Sequence, residues 1–103
     1  GNHAANWATT DVLCASVVDP LLRAHPHLIP LVAAWARDRN PWVRRAAAVG
    51  LVKLAARGEA LDVAYDVATA LREDRHDLVQ KAAGWLLREA GRSDPRRLER
   101  YLV

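Results

Sequence analysis

Two groupings of side chains in this sequence have chemical potential. Trp7 and Asp11 stand four residues apart, with Cys14 and Val18 following on the same face if the segment is helical. A carboxylate set between a Trp and apolar neighbours is partly desolvated unless a cation meets it. That makes Asp11 a candidate site residue. It can equally be a first-turn Asp favoured by the helix dipole, with Trp7 a staple against the core.

The second grouping lies on residues 77–92. At about 100° per residue, Val79, Ala82, Ala83, Leu86 and Ala90 form an apolar stripe, and Lys81, Trp85, Arg88 and Arg92 gather on the opposite side. A Trp left in water forfeits burial worth about 2 kcal/mol, so it normally covers something. Trp85 either packs on an adjacent helix pair with the bases reaching past it, or forms an aromatic plate in a cationic groove suited to nucleic acid. Arg45 occupies the equivalent side one repeat earlier, beside Val49 and Val52, and the adjacent Arg44 could be the phosphate ligand instead. The tail adds Arg96, Arg97 and Arg100, which read equally as a phosphate contact or as ordinary surface.

Other chemistries lack support. Cys14 is the single cysteine, which excludes an internal disulfide and a thiolate-rich metal site. His3, His25, His27 and His76 are scattered, with no His-x-x-x-His pair, so neither a metal nor another cofactor is expected. Cys14 and Ser16 have no His within a turn to activate them, and the five glycines form no phosphate loop.

The elements that must hold these residues are helices. Asp38-Arg39-Asn40-Pro41-Trp42-Val43-Arg44-Arg45-Ala46-Ala47 returns 36 residues later as Asp74-Arg75-His76-Asp77-Leu78-Val79-Gln80-Lys81-Ala82-Ala83. Self-similarity at this period marks stacked helical hairpins. Thr9 or Thr10 caps a helix through Val18, which Asp19-Pro20 resets into a short piece ending near His25. Helices are expected over 27–37, 42–56, 59–72 and 77–90, with Asn40 capping, Pro41 at the first helical position, and Gly58 and Gly91 as stops. Asp94-Pro95 starts a last helix to Tyr101, and no segment keeps strand alternation. The expected architecture is all-α, a right-handed α-solenoid of HEAT-like antiparallel pairs forming one domain over 1–103.

Half of the residues are apolar, yet Phe and Met are absent, so an Ala- and Leu-rich core of closely packed helices is expected. The formal charge is +3, and Arg supplies all but two of the fifteen basic residues. That bias fits phosphate recognition, and it also fits a GC-rich genome. No signal peptide or membrane-length apolar run is visible, so a cytoplasmic chain is expected. Trp7, Val12, Leu13, Val17 and Val18 spread apolar surface around the first helix, from which self-association or a missing neighbour is expected.

Three segments together resemble the DNA alkylation repair family of HEAT-like glycosylases, the AlkD-like group. They are Asn6-Trp7-Ala8-Thr9-Thr10-Asp11, the run Trp35 to Ala47, and Leu78-Val79-Gln80-Lys81-Ala82-Ala83-Gly84-Trp85-Leu86-Leu87-Arg88-Glu89. The resemblance covers nearly the whole chain and places it in the carboxy-terminal part of a family member, as a fragment or a shortened relative. It departs at Ala8, where the family usually has a polar residue. The resemblance implies a concave cationic surface for duplex DNA and excision of N-alkylated purines such as 3-methyladenine and 7-methylguanine. By the same resemblance Asp11 is the catalytic carboxylate, Trp7 and Trp85 cradle the lesion's sugar and backbone, and Arg45 binds phosphate. Lys81 and Arg88, with Arg44, would add charge to that surface. A non-catalytic DNA-binding module and a protein-interaction scaffold are the competing readings.

Overall fold

The computed structural model describes residues 11–103, apart from the side chains of Cys14 and Ala15, and every element among them is helical. Residues 11–13 are helical, Cys14–Val18 form a π-helical turn, and α1 (Asp19–Ala24) continues from it. The reset expected at Asp19-Pro20 is a widened turn rather than a break. Pro20 has no N–H to offer the Ser16 carbonyl, and its ring crowds that carbonyl, so the preceding turn opens. α1 ends at His25, whose φ of −133° leaves the helical region ahead of Pro26.

The helix expected over 27–37 is α-helical only in its middle. A 3-10 turn (Pro26–Leu28) leads into α2 (Ile29–Ala34), and a second 3-10 turn (Trp35–Arg37) follows. Pro30 cannot donate to the Pro26 carbonyl four residues back, so the Ile29 N–H takes it in a tighter bond.

Both copies of the repeated decapeptide fold the same way locally. Asp38 Oδ1 accepts the Asn40 N–H at 2.9 Å, and Asn40 Oδ1 accepts the Trp42 N–H at 2.9 Å to start α3 (Pro41–Val49). Asp74 Oδ1 likewise accepts the His76 N–H at 2.9 Å, and His76 Nδ1 accepts the Leu78 N–H at 3.3 Å to start α6 (Asp77–Ser93). Each cap satisfies an amide the first turn would otherwise leave open.

The copies then diverge. Instead of one helix over 42–56, α3 stops at Gly50 and α4 (Val52–Ala56) resumes after Leu51. A Cβ at Gly50 would lie 2.9 Å from the Ala46 carbonyl and 3.0 Å from Val18 Cγ1, so glycine lets the Val18 segment approach. The position 36 residues on is Leu86, fully buried, and α6 runs uninterrupted. Gly58 ends α4 as expected. Its φ is 79°, and the Glu59 and Gly58 amides close back on the Leu54 and Ala55 carbonyls at 2.9 and 3.0 Å.

Gly91 does not end its helix. It is buried inside α6, where a Cβ would run into Leu98 of α7 (Pro95–Leu102). Asp94 caps α7 by accepting the Arg97 N–H at 3.2 Å. Between α4 and α6, α5 (Leu61–Leu71) packs its buried Ala64, Val67, Ala68 and Leu71 into the common core. That core takes Ala47, Ala48, Leu51, Leu54 and Ala55 from α3 and α4 and Val79, Ala82, Ala83 and Leu86 from α6. Small residues at these contacts let helix axes draw close. Val12, Leu13, Val17 and Leu21 remain exposed on the first helical segment.

Candidate nucleic-acid interface

Asn40 and Pro41 start α3 at a defined residue, and that phase turns Arg45 toward the segment carrying Asp11 and toward α6. Arg45 Nε donates to Asp11 Oδ1 at 2.9 Å, and Nη2 donates to Asp11 Oδ2 at 2.6 Å. Its Nη1 donates to the Leu78 carbonyl in the first turn of α6. One planar guanidinium therefore ties three segments, which a lysine could not do with the same directional fork. The pair is largely shielded, at 11% exposure for the Arg45 side chain and 21% for Asp11. The cation that a desolvated Asp11 requires is thus Arg45, supplied from 34 residues away. Each carboxylate oxygen still has a lone pair beyond the one given to the fork.

Arg44, next in sequence, faces a different partner. Its Nε and Nη2 donate to the Asp74 carboxylate at 2.8 and 3.1 Å, and Nη1 donates to the carbonyls of Asp38 and Arg39 at 3.1 and 2.9 Å. It staples the turn of one decapeptide copy to the turn of the next. Burial pushes the Asp74 carboxyl up, but the Arg44 hydrogen bond and the His76 amide outweigh it and hold Asp74 below its ordinary value.

The α6 residues lie as the helical wheel requires. Val79, Ala82, Ala83, Leu86 and Ala90 are buried, whereas Lys81, Arg88 and Arg92 are exposed and Trp85 is half-buried against the core. Trp85 thus does part of what each reading asked, packing on the core while keeping some accessible surface. It lies seven residues past Leu78, about 10 Å along the axis and within about 20° of the same direction. Arg45 therefore reaches the first turn of the helix that carries Trp85. A Cβ at the neighbouring Gly84 would meet nothing within 4 Å, so the surface beside Trp85 is open. Lys81 Nζ meets Asp77 at 3.1 Å with both side chains exposed, and Arg92 meets Glu89 at 3.6 Å. The Lys81–Asp77 pair, exposed on both sides, is worth little and exchanges readily for a stronger anion. Trp7 lies outside the described residues.

Two features escaped sequence reasoning. The Leu78 carbonyl is a backbone group, for which no residue type is diagnostic. Asp19 is buried and paired to Arg57 at 2.9 Å, an interaction that raises the Arg57 pKa. The Asp19-Pro20 dipeptide punctuates a helix, and nothing in its type or spacing points to Arg57, 38 residues away.

A shielded carboxylate paired to an arginine and a helix carrying exposed bases with a half-covered tryptophan occur together in this all-helical chain. The family of DNA alkylation repair enzymes has a model that matches residues 2–103. The chain belongs to that family. No curated protein and no solved structure gave a match. Membership points to a role in DNA repair, with DNA as the partner. No helix among the described residues is long and apolar enough to cross a membrane.

Proposed function

We propose that this chain is a DNA glycosylase domain that excises N-alkylated purines, 3-methyladenine and 7-methylguanine, from duplex DNA. Its helix pairs would stack as a right-handed HEAT-like solenoid, with α3 and α6 side by side on the DNA-facing side. An alkylated purine is already cationic, so its glycosidic bond breaks with both electrons leaving on the base. Positive charge then develops on the deoxyribose, and water adds at the sugar carbon and gives up its proton. Asp11 stabilises that charge and orients the water, using the lone pairs not committed to Arg45. Trp7 and Trp85 line the sugar and backbone, and Lys81, Arg88 and the edge of Arg45 meet phosphate. Arg44 stays in its clamp on Asp74.

The bidentate Asp11–Arg45 pair, tied to the first turn of the helix that carries Trp85, carries this reading. The pair also favours a second one. A carboxylate whose two oxygens both meet a guanidinium is partly neutralised, as suits a DNA-binding module without chemistry. Release of 7-methylguanine from methylated duplex DNA separates the two. The wild-type chain should release the base, and Asp11→Asn should lose at least about a hundredfold in rate. No release by either protein, with salt-sensitive duplex binding retained, establishes the binding module instead.

A further inference from the structure

The edge of the molecule where α7 crosses α5 holds a second arrangement of charge and hydrogen-bonding capacity. Tyr65 and Tyr101 meet with ring centroids 4.9 Å apart and planes tilted by 45°, but their hydroxyls are treated differently. The Tyr101 hydroxyl lies 2.7 Å from Thr69 Oγ1 and 3.4 Å from Arg72 Nη1. The Tyr65 hydroxyl is buried and has no hydrogen-bond partner among the described residues, on a residue only 6% exposed. The Tyr65 side chain lines a cleft of about 390 Å³ together with Arg97, Arg100 and Tyr101.

A buried phenol without an acceptor is costly, so a hydroxyl kept at such a position normally has something to donate to. The residues around this one are cationic. The Arg97 guanidinium lies 5.0 Å over the Tyr65 ring, and its ion pair with Asp62 is made at the surface, where Asp62 is 87% exposed. Arg100 is exposed and makes no hydrogen bond or ion pair among the described residues. Burial pushes the Tyr65 phenol above its ordinary value, so it keeps its proton and remains a donor.

We propose that Tyr65, Arg97 and Arg100 form a phosphate-binding site, in which a phosphate oxygen accepts the Tyr65 hydroxyl while the two guanidiniums take the others. Phosphate suits the site because its non-bridging oxygens accept a hydroxyl and the planar arginine forks together. Arg97 exchanges its exposed Asp62 for a more highly charged acceptor, and Arg100 gains a partner it lacks. The phosphate is either a free anion or a backbone diester of nucleic acid. The site uses none of the residues assigned to base release and stands whether or not Asp11 is catalytic.

The test is side-chain NMR of the arginine Nε–H groups in the full chain, titrated separately with inorganic phosphate and with an unmodified duplex. Signals of Arg97 and Arg100 should move and saturate. Tyr65→Phe should weaken the response about tenfold, as expected for one charge-assisted hydrogen bond, without lowering thermal stability. Arg100→Gln, a change at an exposed position, should weaken it at least as much. Movement with inorganic phosphate alone identifies a small-anion site, and movement with the duplex only identifies a backbone contact. No saturable movement with either, or Tyr65→Phe and Arg100→Gln both binding as wild type does, overturns the proposal.

Discussion

The starts of α3 and α6 share a sequence pattern and a capping geometry, yet one is tied down and the other left open. In α3, Arg44 clamps Asp74 across the repeat and Arg45 joins Asp11 to Leu78. At the matching positions of α6, Gln80 is exposed with no side-chain hydrogen bond among the described residues, and Lys81 meets only an exposed Asp77 on its own helix. Identical local structure therefore produces a structural joint in one repeat and a cationic surface in the next. What differs is the supply of carboxylates from neighbouring segments. Where Asp74 and Asp11 arrive, arginine is paired across the fold; where none arrives, the basic group stays exposed.

The largest test of this contrast is stability. Arg44→Ala leaves the shielded Asp74 carboxylate short of its main partner and should cost about 2–3 kcal/mol, read from urea unfolding. Gln80→Ala should stay within about 0.5 kcal/mol. Equal effects would erase the distinction between joint and surface. Removing both partners in Arg44→Ala/Asp74→Ala should recover part of the loss, because no buried charge is then stranded.

A smaller effect follows from pH. Asp74 is held below its ordinary value in the folded chain, so its contribution is fully present above the unfolded carboxyl pKa of about 3.9. That contribution is lost as pH falls through the folded value. Wild type should thus lose stability more steeply than Asp74→Asn on acidification below about pH 4. Parallel curves would mean that the clamp contributes nothing through its charge.

The smallest effect is on duplex binding. Lys81→Gln should weaken binding a few-fold and reduce the salt dependence by about one counterion. Gln80→Ala, one residue away, should leave the slope as it is. A slope unchanged by Lys81→Gln would remove Lys81 from the DNA-facing surface.

Much of the local structure was legible because it rests on short-range chemistry. Asn40-Pro41 and Asp94-Pro95 announce helix starts through a side-chain acceptor and a missing amide, and both start helices. The α6 stripe followed from helical period alone, since Val79, Ala82, Ala83 and Leu86 recur on one face and all are buried. The glycines were less legible. Gly58 stops a helix, Gly50 interrupts one to admit Val18, and Gly91 sits inside one to admit Leu98. The same residue type serves three ends, and only its neighbours in space tell which.

The candidate site divides in the same way. The type and spacing of Lys81, Trp85 and Arg88 were enough to predict a basic helix face, because residues on one helix share a direction set by its period. The fates of Arg44 and Arg45 were not readable, since adjacent residues on a helix point about 100° apart and their partners lie 30 and 34 residues away. Sequence by itself determined that the chain is helical, where most helices begin, and which face of α6 carries charge. Tertiary structure alone decided which of two neighbouring arginines became a joint and which came to hold Asp11, because long-range ion pairs depend on packing that brings distant segments together.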